Sequence, residues 1–436
     1  MPEGAALLER VISLLVATSW IYWLAACWMV RSFFRDRAVD AGAPAMPPVS
    51  ILKPVRGLDP EAYENFESFC RQDYPEFEIL FGVMDPADPA VAVIRRLQRA
   101  HPETRIRLVV AHSSSPNRKA GILHRLAAEA RHDILAVSDS DMRVTPEYLR
   151  RVVAPLTDDR VGLVTCPYVG GAAASLPAGL EALHMGVTFL PSVIVARKLV
   201  GLDFALGASV VIRRRELTRI GGFAALADYL AEDYQLGARV GALGLRVHLS
   251  DYITVSVLGG TTFWEQWHRE VRWARCTRVS RPREYPGLLL SFSTPLSGLL
   301  ILAAGLTPAH QQTLAVSLVL RWVCGWLVTG STGDRVARHW LPWLPVRDVL
   351  TALVWVAGGV GKRVVWRGEA YELEAGGKMR SLGEIADHAG IRHPYEKGAG
   401  GPPGPATPGG GEVTPGGPES DGEEAGRPPT PVLPHT

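Results

Sequence analysis

Between Val49 and Tyr252 the chain alternates short apolar runs with longer amphipathic stretches. A short apolar run bounded by turn residues is typical of a buried strand, and a longer stretch with helical periodicity is typical of a surface helix. The apolar runs are VSILKPV, FEILFGVMD, IRLVVA, DILAVSDSD, GLVTCPY and GASVVIRR. The helical stretches between them include 61–72, 89–100 and 119–130. Strands that alternate with helices predict an α/β fold with a mostly parallel, doubly wound sheet, a fold that by itself does not identify a reaction.

The segment 11–30 precedes this region and carries no charged residue. About 20 apolar residues are enough to cross a bilayer, so the segment is a transmembrane candidate. A signal peptide is the competing interpretation, but Glu3 and Glu9 precede the segment, and its apolar run is too long for a typical signal. One arginine lies before the segment and three follow it: Arg10, then Arg31, Arg35 and Arg37. Because positive loops stay in the cytoplasm, the following domain is predicted to be cytoplasmic.

Hydrophobic segments return near the C-terminus, at 288–306, 313–328 and 341–360. We expect two or three of them to span the membrane and one to be re-entrant or interfacial, with a helical core domain as the alternative. Ahead of them, the sequence FWEQWHREVRWAR at 263–275 is typical of an amphipathic helix in the membrane interface. The Pro- and Gly-rich tail beyond Pro394 is predicted to be disordered.

Charge and cysteine content narrow the function classes. The 46 basic residues nearly balance the 44 acidic ones, and a net charge of +2 gives no argument for nucleic acid as a partner. The 5 cysteines are far apart and contain no Cys-x-x-Cys pair. This pattern predicts reduced thiols in a cytosolic environment and no zinc site.

Acidic residues follow two of the predicted strands. Asp139 and Asp141 come directly after the run ILAVS, and Asp85 ends FEILFGVMD. Parallel strands end at one edge of a sheet, where ligands bind, so these carboxylates can line one pocket and hold a divalent cation with a phosphate. Solvated turn residues are the alternative for each acid, since Asp-x-Asp and Asp-Pro are common in turns.

Three further motifs carry candidate chemistry. Asp233, in YLAEDYQLG, is a candidate general base, with a helix cap as the alternative. Lys119 opens a predicted helix and can hold phosphate together with the backbone amides there, with a solvated basic turn as the alternative. The pair Arg272-Trp273 offers a fixed cation and an aromatic surface suited to a diphosphate leaving group, with an interfacial helix face as the alternative.

Taken together, these motifs resemble the membrane-bound glycosyltransferases with a GT-A domain. The resemblance is nearest to the ceramide glucosyltransferase family and its bacterial relatives that glycosylate hopanoid lipids. It covers 49–283 and the flanking hydrophobic segments. The motifs that carry it are VSILKPVRGLDP, DYPEFEILFGVMDPADPA, NRKAGIL, SDSDMRV, GLVTCPY, YLAEDYQLG and REVRW.

The resemblance implies a nucleotide-sugar site. Asp85 would contact the uracil or ribose of a UDP-sugar, and Lys119 belongs to the same donor-binding set. Asp139, with Asp141, would hold Mg²⁺ or Mn²⁺ on the diphosphate. The metal would then act as a Lewis acid and a template for direct displacement, which inverts the anomeric centre.

The resemblance also implies an acceptor site. Asp233 would be the base that accepts the proton of a lipid hydroxyl. Arg272, with Arg269, would steady the departing UDP, and Trp273 would line the acceptor site. The expected partners are therefore a UDP-sugar donor, a membrane lipid acceptor and the lipid bilayer.

The predicted reaction moves glucose or N-acetylglucosamine to the hydroxyl of a membrane lipid. The animal ceramide enzymes carry a His-Pro pair where this chain reads TFLP at 188–191, and they have one acid where this chain adds Asp141. Both differences favour a hopanoid acceptor such as bacteriohopanetetrol, with ceramide as the alternative. A processive polysaccharide synthase is a second alternative. A catalytically idle membrane scaffold is a third, from a different class.

We therefore predict a multi-pass protein of the bacterial inner membrane with a cytoplasmic catalytic domain. Its expected segments are a transmembrane anchor (1–40), a GT-A catalytic domain (45–260), an amphipathic interfacial helix (261–285), membrane segments (286–366), a short cytoplasmic segment (367–393) and a disordered tail (394–436).

Overall fold

The computed structural model describes residues 3–35, 46–366 and 369–384; the predicted disordered tail, 394–436, lies outside them. The strands are β1 (Val49–Pro54), β2 (Phe77–Val83), β3 (Arg105–Val110), β4 (Ile134–Ser138), β5 (Met142–Arg143), β6 (Val161–Thr165), β7 (Tyr168–Ala173), β8 (Ser209–Arg213), β9 (Arg246–Leu249), β10 (Thr254–Gly259), β11 (Arg363–Trp366), β12 (Glu369–Leu373) and β13 (Met379–Glu384).

Fourteen α-helices connect and flank the strands of the described residues. They are α1 (Glu3–Arg35), α2 (Ala62–Cys70), α3 (Ala90–Ala100), α4 (Arg118–Glu129), α5 (Tyr148–Val153), α6 (Leu176–His184), α7 (Leu190–Leu199), α8 (Arg214–Arg219), α9 (Glu232–Ala242), α10 (Phe263–Ser280), α11 (Ser293–Ala304), α12 (Pro308–Thr332), α13 (Arg335–Trp340) and α14 (Leu344–Gly359). A π-helical turn, Met185–Phe189, joins α6 to α7.

A seven-stranded sheet in the order β3-β2-β1-β4-β8-β6-β9 forms the centre of the α/β region. β1 pairs in parallel with β2, where Val49 lies opposite Phe77, and with β4, where Val49 lies opposite Ile134. β8 runs antiparallel to both of its neighbours, β4 and β6, and the other pairings in the sheet are parallel. The prediction of an α/β fold with a mostly parallel sheet is confirmed.

The apolar runs form strands because helices cover both faces of the sheet. Every residue of β1 and of β4 is buried. One face packs on side chains of α2, α3 and α5, among them Phe66, Ile94 and Leu149. The other face packs on α4 and α9, among them Leu126 and Val240. Two-sided burial favours continuous apolar runs over an alternating pattern.

Three helical stretches of the described residues are long and apolar enough to cross a membrane: α1, Leu176–Leu199 and α12. Leu176–Leu199 was not among the expected spans, and it is mostly buried inside the protein. The segment Tyr285–Ser291 and α11 form a pair bent by 81°, which suits a broken span or a re-entrant loop. α1 packs on the C-terminal helices, since Trp20 Nε1 donates to Ser317 Oγ at 2.8 Å.

Two smaller sheets complete the fold. The first has the order β5-β10-β7 and continues from the carboxyl end of β4. The second, β11-β12-β13, is antiparallel, and no pattern noted in the sequence predicted it. It lies against the α/β region, where Met379 N donates to Asp228 O at 2.7 Å and Tyr371 Oη donates to Pro116 O at 3.3 Å.

Candidate active site

The turn between β4 and β5 places two carboxylates at the carboxyl edge of the central sheet. Asp141 Oδ2 accepts a hydrogen bond of 2.7 Å from Ser256 Oγ on β10. The backbone oxygen of Asp139 accepts a hydrogen bond of 2.8 Å from Lys53 Nζ, at the end of β1. Ser140, between the two acids, donates to Asp59 in the loop after β1. Both predicted metal ligands therefore lie at one strand end.

Lys119 joins this turn to a second pair of acids. Its Nζ lies 2.5 Å from Asp139 Oδ1 and 2.8 Å from Glu232 Oε1. Asn117 caps α4 by accepting from Ala120 N at 2.9 Å, and its amide donates to Glu232 Oε2 at 2.9 Å. Burial tends to lower the pKa of Lys119, but the negative charges around it outweigh burial and raise the pKa above its usual range. Lys119 is therefore protonated at neutral pH and lies between the carboxylates of Asp139 and Glu232.

Asp233 lies in the first turn of α9 beside Glu232 and is half-buried. Burial raises its pKa to about 6, and the charge of Glu232 adds to the rise, while Lys119 opposes it. Its Oδ1 accepts a hydrogen bond of 2.8 Å from Tyr234 N. A Cβ added at Gly207 would lie 2.7 Å from Asp233 Oδ2, so glycine at this position makes room for the carboxylate. A carboxylate with a pKa near neutrality is suited to accept a proton from a hydroxyl.

We call Asp139, Asp141, Glu232 and Asp233 the carboxylate cluster. Tyr168, at the start of β7, lies within electrostatic range of three of its members: burial raises the pKa of the Tyr168 phenol, and Asp233, Asp139 and Asp141 raise it further. The Tyr168 ring packs against Phe189 of the π-helical turn, with 5.3 Å between the ring centres. The charges of the carboxylate cluster therefore act together on Tyr168, which packs against Phe189.

The donor atoms of Asp139 and Asp141 fit a hard divalent cation. Burial raises the pKa of Asp141 to about 7, and the negative charges of Asp59 and Asp139 add to the rise. Repulsion between close carboxylates is relieved by a cation, and carboxylate oxygens are ligands that Mg²⁺ and Mn²⁺ prefer. Within the described ranges, no group of three His, Cys, Asp or Glu side chains is arranged to hold a metal. A cation at these two residues would therefore need further oxygen ligands from a bound substrate or water.

Asp85 lies at the same edge of the sheet, beyond β2. Its Oδ1 accepts a hydrogen bond of 2.8 Å from Ala87 N. Asp85 therefore has the turn-forming role that was the alternative to a ligand contact. Because β1 lies between β2 and β4, Asp85 and Asp139 follow strands two positions apart, a separation of roughly 10 Å. Asp85 is exposed and remains a candidate contact at a distance from the cluster.

The three candidates on α10 have different surroundings. Arg269 donates to both carboxylate oxygens of Glu181 on α6, from Nε to Oε1 at 2.8 Å and from Nη2 to Oε2. Burial raises the pKa of Cys276 to about 12; Arg272 opposes this, and the charge of Asp233 adds to it. Arg272 and Cys276 lie one turn apart on α10, and therefore on the same face of this helix. Trp273 is half-buried on the same helix.

Sequence reasoning missed several residues of this site, including Lys53 and Tyr168. Lys53 is fully buried, and burial lowers its pKa to about 7 against the opposing effect of Asp141. Its ammonium lies 3.7 Å from the centre of the Phe69 ring. A lysine inside the apolar run VSILKPV was the available signal, because a buried lysine requires a partner. Tyr168 stands in GLVTCPY and had no comparable signal.

The sequence matches the family described as "Glycosyl transferase family 21" over residues 11–379, which is most of the chain. The chain belongs to glycosyl transferase family 21. This membership confirms the resemblance to the ceramide glucosyltransferase family and the prediction of an enzyme that transfers a sugar.

Relatives of this family 21 member are named for lipid acceptors. "Ceramide glucosyltransferase 1" of Caenorhabditis elegans is 24% identical over 354 residues, which covers 78% of this chain and 74% of the relative. "Beta-monoglucosyldiacylglycerol synthase" of Synechocystis is 23% identical over 240 residues, which covers 54% of this chain and 49% of the relative. Among solved structures, the "Mannosyltransferase PcManGT from Pyrobaculum calidifontis in complex with GDP-Man and Mn2+" is 18% identical with a TM-score of 0.48, covering 80% of this chain and 99% of that one.

Proposed function

We propose that the protein transfers a hexose, glucose or N-acetylglucosamine, from a UDP-sugar to the hydroxyl of a membrane lipid, with inversion at the anomeric carbon. The observation that carries the proposal is the carboxylate cluster. It combines two candidate cation ligands with a half-buried carboxylate, Asp233, whose pKa is raised to about 6. The apolar helices α1 and α12 lie in the same folded unit, which suits a lipid acceptor.

The donor half of the site would bind the nucleotide diphosphate. Asp139 and Asp141 would hold Mg²⁺ or Mn²⁺, which supplies positive charge to the leaving diphosphate when bound. Lys119 contributes a further cation at Asp139. Asp85, about two strand positions away, would contact the uridine, and Arg272 would bind the diphosphate from α10.

The acceptor half would activate the hydroxyl. Asp233 accepts the proton as the hydroxyl oxygen attacks the anomeric carbon, and the bond from that carbon to the diphosphate oxygen breaks. Because the pKa of Asp233 is about 6, the carboxylate is mostly ionised at neutral pH and remains basic enough to take the proton. Trp273 would line the path of the lipid. Arg269 would reach UDP only after leaving its pairing with Glu181.

We also propose that α1 and the C-terminal helices hold the protein in the bacterial inner membrane, with the site on the cytoplasmic face. Arg31, Arg35 and Arg37 follow the apolar segment 11–30, and only Arg10 precedes it. This excess of positive charge after the segment supports the orientation. The relatives named for ceramide and for diacylglycerol support a lipid acceptor. The missing His-Pro pair and the additional Asp141 favour a hopanoid, and ceramide is the acceptor to test beside it.

The test is to incubate membranes that contain the protein with each UDP-sugar and either bacteriohopanetetrol or ceramide, and to identify the product by mass. We expect one glycolipid that carries a single hexose. Asp233→Asn should lower transfer by about 10²–10⁴ while UDP-sugar binding survives. Asp139→Asn should abolish metal-dependent donor binding. Full transfer by Asp233→Asn would remove the proposed base, and a long sugar chain as product would favour a processive synthase.

A further inference from the structure

We propose that a cavity among the C-terminal helices binds the apolar part of the acceptor lipid; the proposal rests on the function proposed above. The cavity has a volume of about 300 Å³ and lies between α11, α12 and the start of α14. We call it the lipid-side cavity. Its lining residues are Thr294, Leu318, Val319, Arg321, Trp322, Pro342, Leu344, Pro345 and Asp348.

The mouth of the lipid-side cavity opens on a surface suited to the bilayer. Val319 is 63% exposed and Trp322 is 47% exposed, although both are large apolar side chains. They belong to α12, which is long and apolar enough to cross a membrane. Exposed apolar side chains on such a helix are expected to face lipid. A lipid chain can therefore enter the cavity from the bilayer without passing through water.

The wall of the lipid-side cavity contains a buried ion pair, Arg321 with Asp348. Arg321 is 1% exposed, and its Nε and Nη2 donate to Asp348 at 3.0 and 2.7 Å. Its guanidinium also stacks on Trp23, with 3.6 Å to the ring centre. Across the described part of the chain, Nη1 of Arg321 has no hydrogen-bond partner.

These features select the chemical class of the ligand. The lining is mostly apolar, so the ligand needs an apolar chain or ring system. Thr294, Arg321 and Asp348 add polar groups to this lining, which suit a ligand that carries hydroxyl, ester or amide oxygens. A phosphate is disfavoured, because Asp348 already neutralises the guanidinium. The best match is therefore a neutral, oxygen-bearing lipid.

Contacts lead from the lipid-side cavity to Tyr168, at the start of β7. Arg321 Nη2 lies 3.4 Å from Thr188 Oγ1 in the π-helical turn. Phe189, the next residue, packs on Tyr168, whose phenol lies within electrostatic range of Asp233. Such π-helical turns occur frequently at functional sites. We infer that a lipid held in the cavity directs its hydroxyl along this wall toward Asp233.

The first test fills the cavity from its mouth with Val319→Trp. The matched control is Val316→Trp, on the same helix, since Val316 is also exposed and is not a lining residue. We expect Val319→Trp to raise the KM for the lipid acceptor about tenfold, the effect of displacing about two methylene groups from an apolar contact. The KM for UDP-sugar should not change, and the control should match the unmodified protein in both constants. An unchanged lipid KM in Val319→Trp would overturn the proposal.

The second test measures binding without transfer. The unmodified protein, in vesicles, is irradiated with bacteriohopanetetrol or ceramide, each carrying a diazirine on its apolar part, and the labelled peptide is identified by mass. We expect label within 318–322 or 342–348, and its loss in Val319→Trp but not in Val316→Trp. Label only elsewhere would refute the cavity. Label within 318–322 or 342–348, in a protein that transfers no sugar to any lipid, would refute the proposed function. It would still support lipid binding in the cavity.

Discussion

The rate of sugar transfer is expected to fall as the pH drops through about 6. A general base works in its unprotonated form, so the active form predominates above the pKa and is lost below it. Burial, followed by the charge of Glu232, raises the pKa of Asp233 to about 6. At pH 5 about one tenth of Asp233 is ionised, and kcat/KM should be about tenfold below its plateau.

The variant Glu232→Gln tests the cause of this pKa. Glutamine keeps the shape of the side chain and an oxygen that can accept the hydrogen bond from Asn117, but it removes the charge beside Asp233. Burial is the largest cause of the raised pKa of Asp233, and the charge of Glu232 is the second. Removing the second cause should therefore lower the midpoint of the acid limb by on the order of 0.5–1 pH unit.

The assay is the initial rate of UDP release with lipid acceptor at pH 4.5–8, with both substrates below their KM. Samples held at each pH and then assayed at pH 7.5 show whether the protein survives the exposure. Asp233→Asn should lower the rate by about 10²–10⁴ and remove this limb. A midpoint that Glu232→Gln does not move, or an unchanged acid limb in Asp233→Asn, would refute the assignment of the base.

Three further predictions concern the same site and its support. Lys119→Met should lower the free energy of unfolding by about 3–5 kcal/mol, measured by chemical denaturation in detergent, because it leaves two carboxylates without their shared cation. Gly207→Ala should reduce kcat at an unchanged melting temperature, because the added Cβ would displace the Asp233 carboxylate. The control Gly260→Ala should change neither kcat nor the melting temperature, because a Cβ there meets no atom within 4 Å. Glu270→Met should destabilise the protein by about 3–5 kcal/mol, since Arg347 pairs with Glu270 and is fully buried, and adding Arg347→Met should restore most of the loss. Additive losses in the double variant would contradict this account.

The strands and the strand-end acids were predictable because two-sided burial produces apolar runs that any reader of the sequence can find. The direction of β8 was not predictable, since the run SVVIR has the same pattern in a parallel or an antiparallel strand. The partner of Arg269 was not predictable either, because Glu181 lies 88 positions away on another helix. Contacts of this range depend on how whole elements pack, and local patterns do not encode them.

The sheet β11-β12-β13 was missed for a similar reason. Its strands are short, and β11 follows α14 directly, in a range whose strongest pattern is that of apolar helices. Within the site, Asp139, Asp141 and Asp233 were predicted from their positions at a strand end and a helix start, and Glu232 was not singled out. The connecting cation, Lys119, was expected to hold phosphate, and its bridge from Asp139 to Glu232 became visible only in three dimensions.

The position of this last sheet has a consequence for the order in which the protein is made. The backbone around 228–230, directly before Glu232 and Asp233, is hydrogen-bonded to Gly377 and Met379. These residues leave the ribosome after α12 and α14, because synthesis runs from the N-terminus. A nascent chain therefore completes the surroundings of its carboxylate cluster only after its membrane helices have been synthesised. With α12 in the membrane as proposed, the site would be completed beside the bilayer, where the proposed acceptor resides.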